Sequence, residues 1–370
     1  MTVYWILLVF SAALGIPLCG LCEKRSDRRA AVYCIVMGAA FALLAAVRFD
    51  VGVDYNMYAK LFYDMNFMDT EQLGNIQREK GMLFPVVLTE IFTFDYFPAF
   101  AVLSPIIYAL IMVYGAKYSD NPWVGVFAFL CFGVFFNSLN FMRQIMAASV
   151  GAFALRYAAK GNYFRFAVFA IIAGAFHRSA FLLLPFGLIC LIPMNIPVLI
   201  GLLCGSGAVF AFSGDIINAA TDFVYKNYGA VEHKEVITGL SPLYTVMFGV
   251  IFIGAFVLKD KLRGDEREIN QLLWCAYSGF FFESLGMKHA ILSRLGLLFF
   301  LPIVFLLVPK IFTAACRLAS GHKGRRKKAA AFTAAALMIA MTGLYGGLLY
   351  KNYNGVVPYR TVFEREVEGV

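Results

Sequence analysis

Residues 48–58, RFDVGVDYNMY, open the first long polar segment of the chain, directly after the apolar run 30–47. An apolar run of about 20 residues can cross the hydrocarbon core of a bilayer as a helix. The segment therefore marks the edge of a membrane, where it sets Arg48, Asp50 and Asp54 in front of two tyrosines. We interpret it as one wall of a polar site at that membrane face.

The composition extends this interpretation to the whole chain. Of its 370 residues, 61% are hydrophobic and 15% are charged, whereas soluble domains are about 45–50% apolar and about 25% charged. The apolar runs are continuous and do not alternate with polar residues, which favours membrane-spanning helices over a membrane β-barrel. The sequence predicts an all-α polytopic membrane protein with about twelve spans, forming a single integral domain over residues 1–370.

The basic residues assign a side to each loop. The net charge of +9 is concentrated in short loops, which is typical of cytoplasmic loops and not of a nucleic-acid-binding face. We therefore predict no nucleic-acid partner. The predicted cytoplasmic loops are 22–29, 259–268 and 310–328.

Two longer polar segments then become outer loops, 48–80 and 213–241. Within the first, Tyr55 and Tyr58 belong to an apolar-aromatic face at helical spacing, which indicates a short helix lying in the interface. Residues 81–96 are apolar but short, and we interpret them as a re-entrant or interfacial helix.

The same assignment gathers ionisable residues at the outer face, including Arg143, His177 and Arg294. Ionisable groups in or against a membrane are costly, so they usually face a cavity or a partner. Guanidinium groups match phosphate oxygens in geometry, which predicts an anionic ligand such as a phosphate carried on a lipid. The alternatives are that Arg143 and His177 tie helix ends together and that Arg48 snorkels to the interface.

Possible proton acceptors at this face are His177, Glu79 and Asp54. Tyr55 and Tyr58 are candidates for stacking on sugar faces, although anchoring in the interface explains them equally well. The chain has no P-loop, no G-x-G-x-x-G and no H-E-x-x-H motif. We therefore predict neither a metal site nor a cofactor.

Several stretches, taken together, resemble one protein family. Residues 48–55 followed by Glu79-Lys80-Gly81 resemble the opening signature of the EpsG family. Residues 140–147, NFMRQIMA, and residues 175–180, AFHRSA, resemble it further, and Ser293-Arg294-Leu295 and Pro358-Tyr359-Arg360 more weakly. The chain departs from the family at Val53, where threonine is frequent, and after Arg294, where the family ending is rich in aromatic residues.

EpsG proteins are multipass proteins of exopolysaccharide biosynthesis, similar in role to Wzy O-antigen polymerases. The resemblance implies a GT-C-like glycosyltransferase architecture in the bacterial cytoplasmic membrane. It also implies polymerisation, at the outer face, of oligosaccharide repeat units carried on undecaprenyl pyrophosphate, alongside a chain-length regulator and a flippase of the same pathway.

The site residues follow from this resemblance as expectations. Arg48, Arg143 and Arg294 would hold the pyrophosphate, and His177, Glu79 or Asp54 would take the proton of the acceptor hydroxyl. The expected sugar contacts are Asp50, Tyr55, Tyr58 and Gln144.

Two other functions fit the residues. A membrane acyltransferase that modifies surface polysaccharide would also use embedded His and Arg residues, but its loss would leave glycan length unchanged. A transporter or flippase of lipid-linked sugars predicts charges spread through the membrane depth and internal repeats. The sequence shows neither, which favours the polymerase.

Overall fold

The computed structural model describes residues 1–23, 26–68, 97–214, 241–321 and 327–364. These residues form fifteen α-helices and no strand, with a single bridge between Arg48 and Thr361, which confirms the all-α prediction. The helices are α1 (Thr2–Cys19), α2 (Asp27–Ala46), α3 (Tyr55–Asn66), α4 (Phe97–Tyr118), α5 (Pro122–Cys131), α6 (Val134–Asn140), α7 (Met142–Ala159), α8 (Tyr163–Phe176), α9 (Leu183–Ile189), α10 (Ile196–Ala211), α11 (Ser241–Leu258), α12 (Glu266–Gly286), α13 (Ala290–Pro302), α14 (Val308–Ser320) and α15 (Lys327–Tyr350).

Six helical stretches in the described ranges are long and apolar enough to cross a membrane. They are α1, α2, α4, Pro242–Lys261, Ala290–Ser320 and α15. The pair α5 and α6, bent by 64°, is a seventh candidate. The protein is thus a polytopic helical membrane protein. Twelve spans do not follow from length and composition, because α8, Arg178–Ile189 and α10 are apolar but shorter.

The chain reverses direction at His177. Helix α8 ends at Phe176, and a 3₁₀ helix, Arg178–Leu182, leads into α9. After α9 the carbonyl of Ile192 accepts hydrogen bonds from Asn270 at 3.0 Å and from Trp274 at 2.9 Å, near the start of α12. The chain therefore turns at His177 and returns to the end of the helix bundle where α12 begins.

The bundle has two chemically different ends. We call the end formed by residues 47–58, residues 137–144, the start of α13 and the tail 351–364 the site end, and the other the opposite end. At the opposite end Lys310 lies 3.3 Å from Asp120 and 3.1 Å from Glu268. Residues of the predicted cytoplasmic loops, such as Glu23 and Arg263, pair at this same end, at 3.2 Å.

One predicted loop is shorter than expected. The sequence predicted residues 310–328 as a cytoplasmic loop, but α14 continues to Ser320 and α15 begins at Lys327. The physical reason is that Lys310 is only 4% exposed and its charge is neutralised by two carboxylates, so it does not end the helix. Most of the predicted outer loop 213–241 and all of residues 69–96, including the proposed re-entrant segment 81–96, lie outside the described residues.

The bend between α5 and α6 depends on Gly133. Its φ is +67°, and an added Cβ would meet the Tyr244 hydroxyl at 2.5 Å, so a side chain would be both strained and obstructed. The bend leaves the carbonyl of Phe132 outside the regular helix, and the Tyr244 hydroxyl donates to it at 3.0 Å. Helix α6 then presents Asn137 and Asn140 to the site end.

Candidate functional site

The turn that follows α2 is held by the C-terminal tail. The amide of Gly52 donates to Gly355 O at 3.0 Å, and that of Val53 donates to Asn354 O at 3.1 Å. Gly52 has a φ of +104°, and a Cβ there would lie 2.9 Å from Asn140 Oδ1. Glycine is therefore required here both by the backbone conformation and by the close approach of α6.

Two buried asparagines of α6 join these segments. Asn140 Oδ1 accepts from the amide of Asp54, and its Nδ2 donates to Asn354 O, both at 3.1 Å. Asn137 Oδ1 accepts from Asn354 Nδ2 at 2.7 Å and from the Tyr353 hydroxyl at 3.0 Å. Buried amides with several partners are well satisfied and hold their neighbours in one arrangement. They fix the position of Asp54.

Asp54 occupies the N-cap position of α3, but its carboxylate makes no capping hydrogen bond. The carboxylate instead interacts electrostatically with Arg294 and Arg143. Burial raises the pKa of Asp54, and the two guanidinium groups act against that shift. Asp54 is thus a carboxyl group set close to two cations.

Arg143 lies in the first turn of α7, beside the buried Tyr58. The Tyr58 hydroxyl accepts a hydrogen bond from the Arg143 amide at 3.4 Å and another from the Arg143 side chain. Burial raises the pKa of Tyr58, while the charge of Arg143 lowers it. Tyr58 therefore orients the guanidinium of Arg143 at the edge of α3.

Arg294 reaches the site from the start of α13. Its side chain is exposed, and its guanidinium carbon lies 4.7 Å from the centre of the Phe141 ring. Its carbonyl accepts a hydrogen bond from Gln144 Nε2, so Gln144, which we predicted as a sugar contact, joins α7 to α13. We call Asp54, Arg143 and Arg294 the Asp–Arg cluster.

Arg48 lies behind this cluster and not on its surface. It is 1% exposed, and its Nη2 donates to Met142 Sδ at 3.2 Å. Its guanidinium carbon lies 5.3 Å from the ring centre of Phe100 and 5.9 Å from that of Tyr55. Its Nε and Nη1 have no hydrogen-bond partner in the described part of the chain. Arg48 is a buried cation held by aromatic rings and by the residue next to Arg143.

The other predicted site residues have different environments. Tyr55 is buried and stacks on Phe100 with ring centres 5.1 Å apart. Asp50 is exposed and accepts from Asn56 Nδ2 at 3.0 Å. His177 is half-buried, and the 3₁₀ helix that follows it packs on α7. Its role as a base stays a prediction, as does that of Glu79, which lies outside the described residues.

Sequence reasoning missed several residues of this end. The tail residues Tyr353 and Asn354 could not be found from local pattern, because only the fold brings them to α6. Glu283 could have been found, since it is a carboxylate in the otherwise apolar run Phe280-Phe281-Phe282. It lies buried on α12, one turn before the helix ends at Gly286.

In the described ranges, no three side chains among His, Cys, Asp and Glu come together in a way that could hold a metal ion. A cavity of about 960 Å³ lies at the opposite end and is lined partly by Lys261, Arg317 and Lys327. No residue of the Asp–Arg cluster lines it.

The fold and the cluster together define a polytopic helical membrane protein with a polar, arginine-containing site at one end of its bundle. The model of the EpsG family matches residues 31–361, nearly the whole chain, so the protein belongs to the EpsG family. Membership indicates a membrane protein of polysaccharide biosynthesis and suggests a polysaccharide polymerase. No curated protein and no solved structure matches the chain.

Proposed function

We propose that the protein is a glycosyltransferase that polymerises oligosaccharide repeat units carried on undecaprenyl pyrophosphate. The product is an exopolysaccharide, capsule or O-antigen chain. The reaction takes place at the outer face of the bacterial cytoplasmic membrane. Family membership supports the polymer, and the convergence of Asp54, Arg143 and Arg294 from three distant segments is the observation that supports a site for an anionic substrate.

Arg143 and Arg294 bind the pyrophosphate in this proposal. Both guanidinium groups act on one carboxylate, Asp54, so they are close enough to act on one polyanionic ligand. Charged hydrogen bonds from arginine to phosphate oxygens are strong and geometrically specific. The buried charge of Arg48 adds positive potential from behind the cluster and fixes Met142, the residue before Arg143.

The reaction joins the growing chain to the next unit. The acceptor hydroxyl loses its proton, its oxygen bonds to the anomeric carbon, and the bond from that carbon to the pyrophosphate oxygen breaks. The two arginines stabilise the charge that develops on the leaving pyrophosphate, so the proposed mechanism is independent of a metal ion. We assign the proton acceptor to Asp54, with His177 and Glu79 as the alternatives.

The proposal includes a twelve-span, GT-C-like arrangement. To the six long candidates and the bent pair, seven in all, we add α7, α8, Arg178–Ile189, α10 and α12, giving 7 + 5 = 12. In this arrangement the site end faces the exterior. The paired basic residues of the opposite end then face the cytoplasm, in agreement with the distribution of charge between loops.

The experiment is an Arg143→Ala substitution in a strain that depends on this gene for its surface polymer. We expect loss of polymer, accumulation of lipid-linked single units at the outer face and normal protein level in the membrane. The matched control is Arg165→Ala, which removes an exposed cation at the opposite end. Polymer of normal length in the Arg143→Ala strain would contradict the proposal.

The same strains separate the alternative functions. An acyltransferase would leave the polymer length unchanged and alter only its acyl content. A flippase would leave single units trapped at the inner leaflet, where an external glycosidase cannot reach them.

A further inference from the structure

The cavity at the opposite end of the bundle is lined by positive charge that the proposed function does not use. Its volume is about 960 Å³, and pockets for small ligands are typically about 300–1,000 Å³. The cations that line it are Lys261, after α11, Arg317, on α14, and Lys327, at the start of α15. Charges of one sign that line a concave surface concentrate ions of the other sign there. The cavity is therefore suited to an anionic ligand.

The carboxylates near this cavity do not balance its cations. Among the described residues that line it, Glu23 is the single acidic one. Glu23 lies 3.2 Å from Arg263, which is not part of the lining. In the described ranges, Lys261, Arg317 and Lys327 form no ion pair with a carboxylate. The positive charge of the lining is thus left for a ligand or for solvent.

Arg317 has a donor that points to the class of ligand. Its Nη2 donates to the Lys261 carbonyl at 3.0 Å, which holds the guanidinium beside the 3₁₀ helix Lys259–Lys261. Its Nε is buried and has no hydrogen-bond partner among the residues that the structure describes. A buried donor without a partner is costly, and guanidinium donors match phosphate oxygens in geometry. A phosphate group in the cavity would supply the acceptor.

The three cations lie at the level of the lipid headgroups. Lys261 is the last residue of the candidate span Pro242–Lys261, and Lys327 is the first residue of α15. Arg317 lies within the last turn of the candidate span Ala290–Ser320. Basic residues at the ends of membrane spans lie where the hydrocarbon meets the headgroups. The charged part of the cavity therefore opens at the membrane surface.

The rest of the lining is largely apolar and reaches deeper into the bundle. Leu21, Ala314, Ala330 and Ala331 contribute to it. Ala314 precedes the end of α14 at Ser320 by less than two turns, about 9 Å along the helix axis. A soluble phosphate compound would match only the charged part of this lining, whereas a phospholipid would match both parts.

We propose that the cavity binds an anionic phospholipid, whose phosphate contacts Lys261, Arg317 and Lys327 and whose acyl chains begin along the apolar wall. Basic pockets between membrane helices are suited to such headgroups. The bound lipid connects α14, α15 and the segment after α11, and so stabilises the opposite end of the bundle. The inference is independent of the proposed polymerase function, because it uses no residue of the Asp–Arg cluster.

A pair of double variants with equal charge tests the site. Lys261→Gln combined with Lys327→Gln removes two cations from the lining and keeps Arg317 with its hydrogen bond. The control combines Lys259→Gln with Lys328→Gln, which removes two cations from the same two helices at positions that do not line the cavity. A difference between the two variants therefore reports on the cavity and not on overall charge.

The measurements use the full-length protein in phosphatidylcholine nanodiscs, with or without added cardiolipin. We expect cardiolipin to raise the melting temperature of the wild type and of the control by at least about 3 °C, and that of the cavity variant by less than about 1 °C. Native mass spectrometry should show roughly tenfold less cardiolipin retained by the cavity variant. Equal retention by the two variants, or no rise in the wild type, would overturn the inference.

A second arm separates a lipid from a soluble phosphate. Inorganic phosphate added to phosphatidylcholine nanodiscs should leave the melting temperature of the wild type unchanged. A rise equal to that given by cardiolipin would show that the cavity takes a soluble anion, and the assignment to a lipid would be wrong.

The half-buried thiol of Cys22 locates the bound lipid, because Cys22 also lines the cavity. We expect cardiolipin to slow the alkylation of Cys22 by N-ethylmaleimide in the wild type and in the control, but not in the cavity variant. Peptide mass spectrometry measures this rate. If the wild type retains cardiolipin while Cys22 reacts at an unchanged rate, the lipid binds elsewhere and the inference is wrong.

Discussion

Positively charged side chains have different partners at the two ends of the bundle. At the opposite end Lys310 is held by Asp120 and Glu268, and Arg156 lies 2.5 Å from Glu268. At the site end Arg48 contacts a sulfur atom and aromatic rings, and Arg294 lies over the ring of Phe141. Neither of these two arginines forms an ion pair with a carboxylate of the described ranges. Removing a cation that is paired with buried carboxylates leaves those carboxylates unpaired, whereas removing a cation held mainly by aromatic rings does not.

The largest change in stability is expected at the opposite end. Lys310→Ala leaves Asp120 and Glu268 without their shared cation and should lower the free energy of unfolding by about 3 kcal/mol, since removing one partner of a buried pair is strongly destabilising. Thermal unfolding in detergent measures it. Lys160→Ala, at an exposed position of the same end, is the control and should change stability by less than about 0.5 kcal/mol. Equal stability of the two variants would show that the Lys310 pairs are not structural.

Arg294→Ala is expected to lower activity strongly and to change stability little. The exposed side chain contributes little to packing, so the melting temperature should stay within about 2 °C of wild type. The polymerisation rate should fall roughly 100-fold, as for the loss of one group that stabilises a charged transition state. Arg294→Lys should recover only part of the rate, because lysine cannot make a bidentate contact. Full activity of Arg294→Ala would remove this residue from the site.

A smaller effect is expected where the tail meets α6. Asn354→Ala removes a partly buried donor to Asn137 and should cost about 1–2 kcal/mol of stability, with a lower rate because Asp54 loses its fixed position. The matched control is Asn195→Ala, which removes the cap of α10 at a cost of about 1 kcal/mol. The control should leave the rate per folded molecule unchanged. If both variants slow the reaction equally, the effect of Asn354 is one of stability alone.

The smallest effect concerns the pH dependence of stability. Burial raises the pKa of Asp54 from 3.8, so the folded state binds its proton more tightly than the unfolded state does. Stability from this residue is present below pH 3.8 and is lost as pH rises through the folded pKa. Asp54→Asn should remove that decrease, as measured by unfolding midpoints from pH 4 to pH 7. If the stability of the variant fell more steeply with rising pH than that of the wild type, the pKa of Asp54 would be lowered by folding and not raised.

The sequence predicted the features that depend on local pattern. Apolar runs predicted the helices and loop charge predicted the side of each loop, because hydropathy and loop charge are read over a few residues. The side assignment placed Asp54, Arg143 and Arg294 on one face, and in the structure these three residues lie close enough to interact electrostatically. The charged residues of the turn at residues 48–55 are read directly from the sequence.

What the sequence could not predict depends on contacts between distant segments. The sequence predicted that Arg48 binds pyrophosphate at the surface, because nothing nearby in sequence reveals that its side chain is buried against Phe100 and Met142. The sequence predicted that Gln144 contacts a sugar, but it could not show that the Gln144 amide nitrogen donates a hydrogen bond to the Arg294 carbonyl. The helical continuation through Lys310 required knowledge of Asp120 and Glu268, which come from other helices.

The backbone pairing of the tail with the turn at Gly52 has a consequence for how the protein is made. The Tyr4 hydroxyl donates to the Val356 carbonyl, a separation of 352 residues, and the turn at Gly52 pairs with the same part of the tail. During synthesis the earliest helices enter the membrane long before residues 353–362 leave the ribosome. The wall that holds Asp54 therefore closes only after α15 has been made, so a nascent chain carries Arg48 and Arg143 before the tail contacts that position Asp54 can form.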